Sequence, residues 1–266
     1  MSNILVNGAY KSGRFNRILD LISKHENVSP NSLLNCPDVK TIDYIDSIEN
    51  IEEYLYYLIE SSPIILQYNY CIVKNIDFCS LDKQEMYLKY SEDSNIKFYF
   101  TSYNLNKIES KALLSRLKIV NHSFNLFQSL SEDNKKLYSS YLNLYYAKSI
   151  VDLEFAAMFS KDLKKLLNFD FNFFQYLEEF KSKIEKYNNY PEWFLIETLY
   201  NSFHHIFLDM YKNQNKILEV YKKMINVYNE FNIDNITALC SFILLCNVQV
   251  SILNQRTIQF NTITNV

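Results

Sequence analysis

Glycine is nearly missing from this chain of 266 residues: there are two, with four prolines and one tryptophan. So few flexible or helix-breaking positions exclude a collagen-like or Gly/Pro-rich disordered chain. Neither sign of charge is in large excess. The net charge is −3, so no overall positive field draws the chain onto nucleic acid, and any DNA contact has to be local or made within a larger assembly. The five cysteines (Cys36, Cys71, Cys79, Cys240, Cys246) form no C-x-x-C pair and no zinc-like spacing with histidine. Cys71 and Cys240 lie in apolar runs and read as small buried hydrophobes, which fits a reducing cytoplasm. The N-terminus enters a strand without a basic region and a long apolar core, so no signal peptide is expected. No apolar run is expected to reach membrane-spanning length, and no membrane role follows.

What the chain has instead is apolar mass. Hydrophobic residues make up 48% of it, with 22 tyrosines and 19 phenylalanines among them. This predicts a folded, mostly helical protein of two domains, or of one domain with a helical extension. The abundance of Asn, Ile, Lys and Tyr matches an AT-rich coding sequence more than any chemistry. Over the first 125 residues, short apolar strands alternate with helical patterns. Strands are expected at 4–7, 39–43, the end of 64–73, 96–101 and 117–120. Helices are expected at 14–25, 48–61, from Ser80 as N-cap to about Tyr90, and at 107–115, with 26–37 as a loop. That alternation is the pattern of an α/β parallel sheet with flanking helices. Beyond about Phe124 the apolar period is 3.6 residues through 131–254, from Leu137, Tyr141 and Leu144 to the run Ile236–Val250. An all-helical second half is predicted there, with Pro191 in a first turn.

Both glycines fall in one stretch, Ile4-Leu5-Val6-Asn7-Gly8-Ala9-Tyr10-Lys11-Ser12-Gly13-Arg14-Phe15. Gly8 and Gly13 are five apart, between a strand and a helix patterned by Phe15, Ile18, Leu19 and Ile22. This is the frame of a phosphate-binding loop, G-x-x-x-x-G-K-[ST]. Glycine suits it because the backbone there turns with positive φ and approaches a phosphate closely. The chemistry-bearing residues differ. Arg14 replaces the lysine that reaches the phosphates, and Phe15 replaces the hydroxyl that ligates Mg²⁺. Alone, the loop reads first as a generic strand-turn-helix with two turn glycines.

Further landmarks follow in order. Cys36-Pro37-Asp38-Val39 resembles the entry to the second strand of bacterial clamp-loader ATPase-like subunits. Tyr70-Cys71-Ile72-Val73-Lys74-Asn75-Ile76-Asp77 is similar to their Walker B segment, an apolar strand followed by D-[DE]-A-D. Tyr87-Leu88-Lys89-Tyr90-Ser91-Glu92-Asp93 resembles the L-L-K-x-x-E-E that ends the next helix. Phe100-Thr101-Ser102 and Leu114-Ser115-Arg116-Leu117 match the sensor strand and the S-R-C motif. Across residues 3–125 the chain therefore resembles the AAA+ clamp-loader subunit family, nearest to the δ′ or stator type of DNA polymerase III. The resemblance implies a P-loop AAA+ domain over 1–125, a helical lid over 126–175 and a helical collar over 176–266.

It also implies roles. Lys74 stands where the Mg²⁺-associated aspartate is expected and Asn75 where the catalytic glutamate is, so a lysine would repel the metal and an amide cannot take a proton from water. Gly8, Gly13, Lys11 and Arg14 form a degenerate Walker A loop, and Lys74 and Asn75 a degenerate Walker B. ATP hydrolysis by this chain is not expected, nor any cofactor or metal. Lys11 and Arg14 beside Gly13 could still receive a phosphate or sulfate. Arg116, with Ser115 orienting its loop, would be an arginine finger offered in trans to a neighbour's ATP. Such fingers are worth roughly 10³–10⁵ in rate. Taken alone, Arg116 is a surface arginine opening a strand. The third motif residue is Leu117 in place of cysteine, and the four-cysteine zinc module of many relatives is missing.

The implied partners are AAA+ ATPase clamp-loader subunits, a sliding clamp and, through the assembly, primer-template DNA. The clamp-opening δ-type subunit is a competitor within the class, although it normally lacks the S-R-C arginine. Outside the class stand two others: an interaction module built on a decayed P-loop domain, and an active nucleotide enzyme with an unorthodox site. Other side chains read plainly. Phe15 and Trp193 are packing residues, His204-His205 lie on a helix face without partner ligands, and the Tyr54-Tyr56-Tyr57 and Phe169-Phe171-Phe173-Phe174 clusters are core or interface.

Overall fold

The computed structural model describes residues 3–44, 51–92, 95–123, 133, 150–167, 173–230 and 235–263. The chain divides into two compact units, Met1–Ser129 and Leu130–Val266.

In the first unit, β1 (Ile4–Asn7), β2 (Val39–Asp43), β3 (Asn69–Lys74), β4 (Ile96–Ser102) and β5 (Lys118–Asn121) form one sheet in the order β2-β3-β4-β1-β5. Every pair is parallel, with Leu5 opposite Phe100 on one side and Ile119 on the other. Side chains along a strand point alternately to opposite faces, and both faces here are apolar. Leu5, Cys71, Val73, Phe98 and Phe100 face one way, into a core with Leu55 and Leu58 of α3 (Ile51–Glu60), Tyr87 of α4 (Leu81–Ser91) and Leu113 of α5 (Lys111–Ser115). Ile4, Val6, Tyr70, Ile72 and Tyr99 face the other way. They meet Ile18, Leu19 and Ile22 of α1 (Arg14–Glu26) and Leu33 of α2 (Pro30–Leu33). The fold is α/β: a parallel sheet covered by helices on both faces, followed by a helical region.

Local signals account for most boundaries. The helix α1 begins after Gly13 and ends at Asn27, both in the left-handed region. The segment 26–37, read as loop, contains the short α2, because Ser29 Oγ accepts the Ser32 N–H and Pro30 suits a first turn. The helix expected over 107–115 is in two pieces, a 3₁₀ turn at Leu105–Lys107 and α5. Asn104 and Ser110 each cap their own start, and these competing caps divide the segment. Ser80 holds the N-cap position of α4, but its side chain makes no capping bond. Leu117 precedes β5 and is buried.

Asp38, in the Cys36-Pro37-Asp38-Val39 segment, explains how β2 is entered. Its carboxylate accepts the backbone N–H groups of Ile64 (2.8 Å), Ile65 (2.5 Å) and Leu66 (2.7 Å). Burial opposes its charge, but those three donors and Lys40 hold its pKa below the usual carboxylate value.

The second unit contains α6 (Ile150–Leu167), α7 (Phe173–Ile184), α8 (Glu192–Tyr211), α9 (Asn215–Glu230) and α10 (Ile236–Ile263). Its core is aromatic: Phe159 meets Phe180 edge-on, and Phe207 stacks on Tyr221 at 3.9 Å. His204 is buried there with Nδ1 2.8 Å from Tyr221 Oη. Trp193 packs edge-on against Phe194. Contrary to expectation, one apolar run does reach membrane-spanning length, Ile236–Leu253 in α10. Leu239, Phe242, Ile243, Cys246 and Val250 bury its inner side, and Asn247 Nδ2 bonds the Leu166 carbonyl at 2.5 Å. All five cysteines are buried free thiols, Cys36, Cys79 and Cys246 as much as the two expected. Leu137, Tyr141, Leu144, Phe169 and Phe171 lie outside the described residues. Of the aromatic clusters, Tyr56, Tyr57 and Phe174 are exposed.

Candidate functional site

Parallel strands bring their carboxyl ends to one edge, where α/β sheets hold ligands. The loop 8–13 leaves β1 at this edge. A cavity of about 330 Å³ lies over it, lined by Tyr10 to Phe15 from the loop and α1, Asp43 at the end of β2, Lys74 and Asn75 at the end of β3, and Thr101 near the end of β4. Four strands thus assemble what the sequence spreads over ninety residues.

The two glycines serve different ends. Gly13 has φ +86°, and Lys11 is also left-handed at φ 55°. Gly8 is confined by contact instead: a Cβ there would lie 2.8 Å from the His122 carbonyl oxygen. The close approach it permits is to the chain's own backbone beyond β5. His122 Nε2 is also 2.9 Å from the Ser12 carbonyl oxygen, so the residues after β5 brace the loop.

The side chains in the cavity are largely joined to one another. Arg14 Nη2 donates to Asn75 Oδ1 at 2.9 Å, in a buried contact. Its guanidinium carbon stands 5.7 Å from the Tyr10 ring centre, and Tyr10 stacks on Phe78. Lys74 Nζ lies 4.7 Å over the Phe15 ring and 3.5 Å from Asp43 Oδ2. The Asn75 N–H donates to Thr101 Oγ1 at 2.8 Å, which ties β3 to β4 under the loop. Burial lowers the Arg14 pKa, and Asp77 opposes that shift most.

Asp77, the last residue of the Walker B-like segment, is buried. Desolvation raises its pKa to about 6, against the pull of Arg14 and of the Tyr103 and Asn104 N–H groups, which bond its Oδ2 at 2.9 and 2.8 Å. It therefore fixes the turn that follows β4. Ser102, the last residue of β4, is fully buried, and its carbonyl accepts the Gly8 N–H at 3.0 Å. Asp43 and Tyr10 were not singled out from sequence. Asp43 could have been found as the last residue of a predicted strand in a parallel sheet, a position that faces this edge.

Arg116 is elsewhere. It caps the C-terminus of α5, two residues before β5 begins, and so lies toward the amino end of an edge strand. A strand of four residues spans about 13 Å, and Arg116 does not line the loop cavity. Its side chain is 47% exposed. Nε pairs with Glu92 Oε1 at 3.0 Å and Nη1 donates to the Ala112 carbonyl at 3.0 Å. Ser115 Oγ donates to the same carbonyl at 2.8 Å. Glu92 ends α4, so the Glu92-Asp93 and Ser115-Arg116 segments, read as separate motifs, meet in space through Glu92.

No protein-family model matches the chain, and no curated protein matches it. Solved structures show partial similarity. One is a DNA polymerase III γ-subunit-related protein from Thermotoga maritima, 15% identical, with a TM-score of 0.42, covering 92% of this chain and 94% of that one. Another is Drosophila ORC bound to DNA, 16% identical, with a TM-score of 0.32, covering 46% and 80%. A third is Drosophila ORC bound to GC-rich DNA and Cdc6, 14% identical, with a TM-score of 0.34, covering 77% of each chain. The fold assignment stands on the strand order and register themselves.

Proposed function

We propose that this protein is a non-hydrolysing AAA+ subunit of a sliding-clamp loader in DNA replication, stator-like, that offers Arg116 in trans to a neighbouring ATPase subunit. In this reading 1–125 is the degenerate AAA+ domain, 126–175 the lid and 176–266 the collar that holds the ring. The partners are ATPase subunits with intact Walker motifs, the sliding clamp and primer-template DNA reached through the assembly, all in the cytoplasm.

The observation that carries the reading is the separation of two arginines. Arg14 is buried against Asn75 beside the loop, whereas Arg116 is exposed toward the amino end of β5, away from the chain's own cavity. An arginine there can reach a phosphate only on another molecule. In the cis site, Lys74 and Phe15 pack together where a metal and its hydroxyl ligand would be needed. Neither can bind Mg²⁺, and Asn75 cannot act as a base. Phosphoryl transfer depends on those parts.

Affinity purification of the tagged protein from its native cells tests the assembly. Recovery of an AAA+ ATPase with intact Walker motifs together with a sliding clamp is the expected result. Recovery of the chain alone or with unrelated proteins would instead favour an interaction module on a decayed P-loop domain. Tight Mg²⁺-dependent ATP binding by the isolated chain, measured by calorimetry, would contradict the non-hydrolysing reading.

A further inference from the structure

Two helix ends meet at the amino edge of the sheet. Glu92 caps the C-terminus of α4, and Arg116 caps that of α5. Hydrogen bonds fix the chain beside both. Asn3, just before β1, joins three neighbours. Its Nδ2 donates to the Ser91 carbonyl at 2.8 Å, and its Oδ1 accepts the Phe98 N–H of β4 at 3.0 Å. Its own carbonyl accepts the Lys118 N–H of β5 at 2.9 Å. Asn3 thereby holds the residue before Glu92 and the second residue after Arg116. The helix starts are tied as well. Gln84, wholly buried in α4, accepts the Ser110 N–H at 2.9 Å where α5 begins, and its Nε2 donates to the Cys79 carbonyl at 2.9 Å. Glu92 and Arg116 therefore face each other from two elements whose relative position is set by buried and part-buried bonds.

A guanidinium carries five N–H donors. Arg116 spends Nε on Glu92 Oε1 at 3.0 Å and an Nη1 donor on the Ala112 carbonyl at 3.0 Å, while Nη2 has no partner among the described residues. An unrestrained arginine spreads over many rotamers, and a group that stabilises a transition state works only from the productive one. Two anchors narrow that spread and leave Nη2 for a further acceptor. A carboxylate at this distance could instead act as a latch, neutralising the arginine until a phosphate displaces it. The unpartnered Nη2 favours holding over masking, because a phosphate can meet it without breaking the Glu92 pair.

We propose that Glu92, pinned through Asn3, is the positioning residue for Arg116: it sets the guanidinium for a phosphate on a neighbouring subunit. The inference rests on the reading of Arg116 as a finger in trans and adds the residue that orients it.

The test is steady-state ATP hydrolysis by the reconstituted complex, stimulated by DNA and clamp, with kcat and KM separated. Glu92→Ala should lower kcat about 2- to 5-fold, the scale of one exposed ion pair. KM for ATP should not move, because a finger acts in the transition state. Glu92→Gln keeps an oxygen acceptor for Nε and should recover most of the loss. In an Arg116→Ala background, Glu92→Ala should change nothing further. A loss that persists in that background would mark a merely structural role and overturn the proposal, as would a loss in Glu92→Gln equal to that in Glu92→Ala. A rate unchanged or raised by Glu92→Ala, with Arg116→Ala still impaired, would overturn it and leave the Arg116 reading standing; a raised rate assigns the latch. Hydrolysis by Arg116→Ala at the wild-type rate would sink both together.

Discussion

Arg14 Nη2 donates to Asn75 Oδ1 at 2.9 Å, a buried hydrogen bond between the residues that the clamp-loader resemblance sets in place of a P-loop lysine and a catalytic glutamate. The two side chains serve each other. Truncating either therefore leaves a buried polar partner behind. Arg14→Ala should cost about 2–4 kcal/mol and Asn75→Ala about 1–3 kcal/mol, from lost hydrogen bonding and packing. In a double-mutant cycle by urea denaturation, the pair should be coupled by about 1 kcal/mol or more. Additive losses would show that the bond contributes nothing beyond its parts.

The loop's two glycines are predicted to respond differently. Gly8→Ala drives a Cβ to 2.8 Å from the His122 carbonyl oxygen, which is backbone and cannot step aside. A loss of about 1–3 kcal/mol is expected, as for overpacking. Gly13→Ala meets nothing within 4 Å but keeps φ at +86°, costing about 1–2 kcal/mol from the left-handed backbone alone. Thermal melts of the two variants check the difference: restoring space by trimming His122 should rescue neither, because the contact at Gly8 is with main chain.

Asp77 sets a pH dependence of definite sign. Its folded pKa, about 6, lies above the ordinary 3.8. Between those values the native state holds the proton more tightly than the unfolded chain, so this group's contribution to stability falls as pH rises. The stability difference between wild type and Asp77→Asn, measured by urea denaturation, should move in the variant's favour from pH 4 to pH 6 and level off above. A flat difference across that range would contradict the buried, raised carboxyl.

His204 acts in the opposite direction in the helical unit. Burial, with His205 nearby, lowers its pKa to about 4 from 6.5. The neutral ring is favoured in the fold, so its contribution is complete above pH 6.5 and is lost as pH falls toward 4. His204→Phe should flatten the stability profile between those limits. A variant whose profile parallels the wild type would show that the ring charges without cost.

The sheet was legible because its strands are short, apolar and separated by helical periods, and β3 and β4 are buried on both faces. Boundaries failed where side-chain caps compete with the pattern, as Ser29, Asn104 and Ser110 do. The expectation that no apolar run reaches membrane-spanning length fails at Ile236–Leu253 of α10, where the one amide on the inner side, Asn247, is satisfied by the Leu166 carbonyl. At the loop, residue identities pointed to lost metal chemistry. The partners that replace that chemistry were not legible, since Arg14 and Asn75 are 61 residues apart and Lys74 and Phe15 meet only after β3 pairs into the sheet. The Glu92–Arg116 pair is legible only in space for the same reason.

The central claim rests on Arg116 acting on another subunit's nucleotide, and the most direct measurement is the DNA- and clamp-stimulated ATPase of the reconstituted complex carrying Arg116→Ala. The side chain is exposed and holds a surface ion pair with Glu92, worth about 0–1 kcal/mol, and an exposed hydrogen bond to the Ala112 carbonyl, so assembly should be unchanged. The account predicts an intact complex whose hydrolysis falls by at least tenfold, given the roughly 10³–10⁵ that such fingers supply at a single site. Hydrolysis at the wild-type rate by an intact Arg116→Ala complex would contradict it.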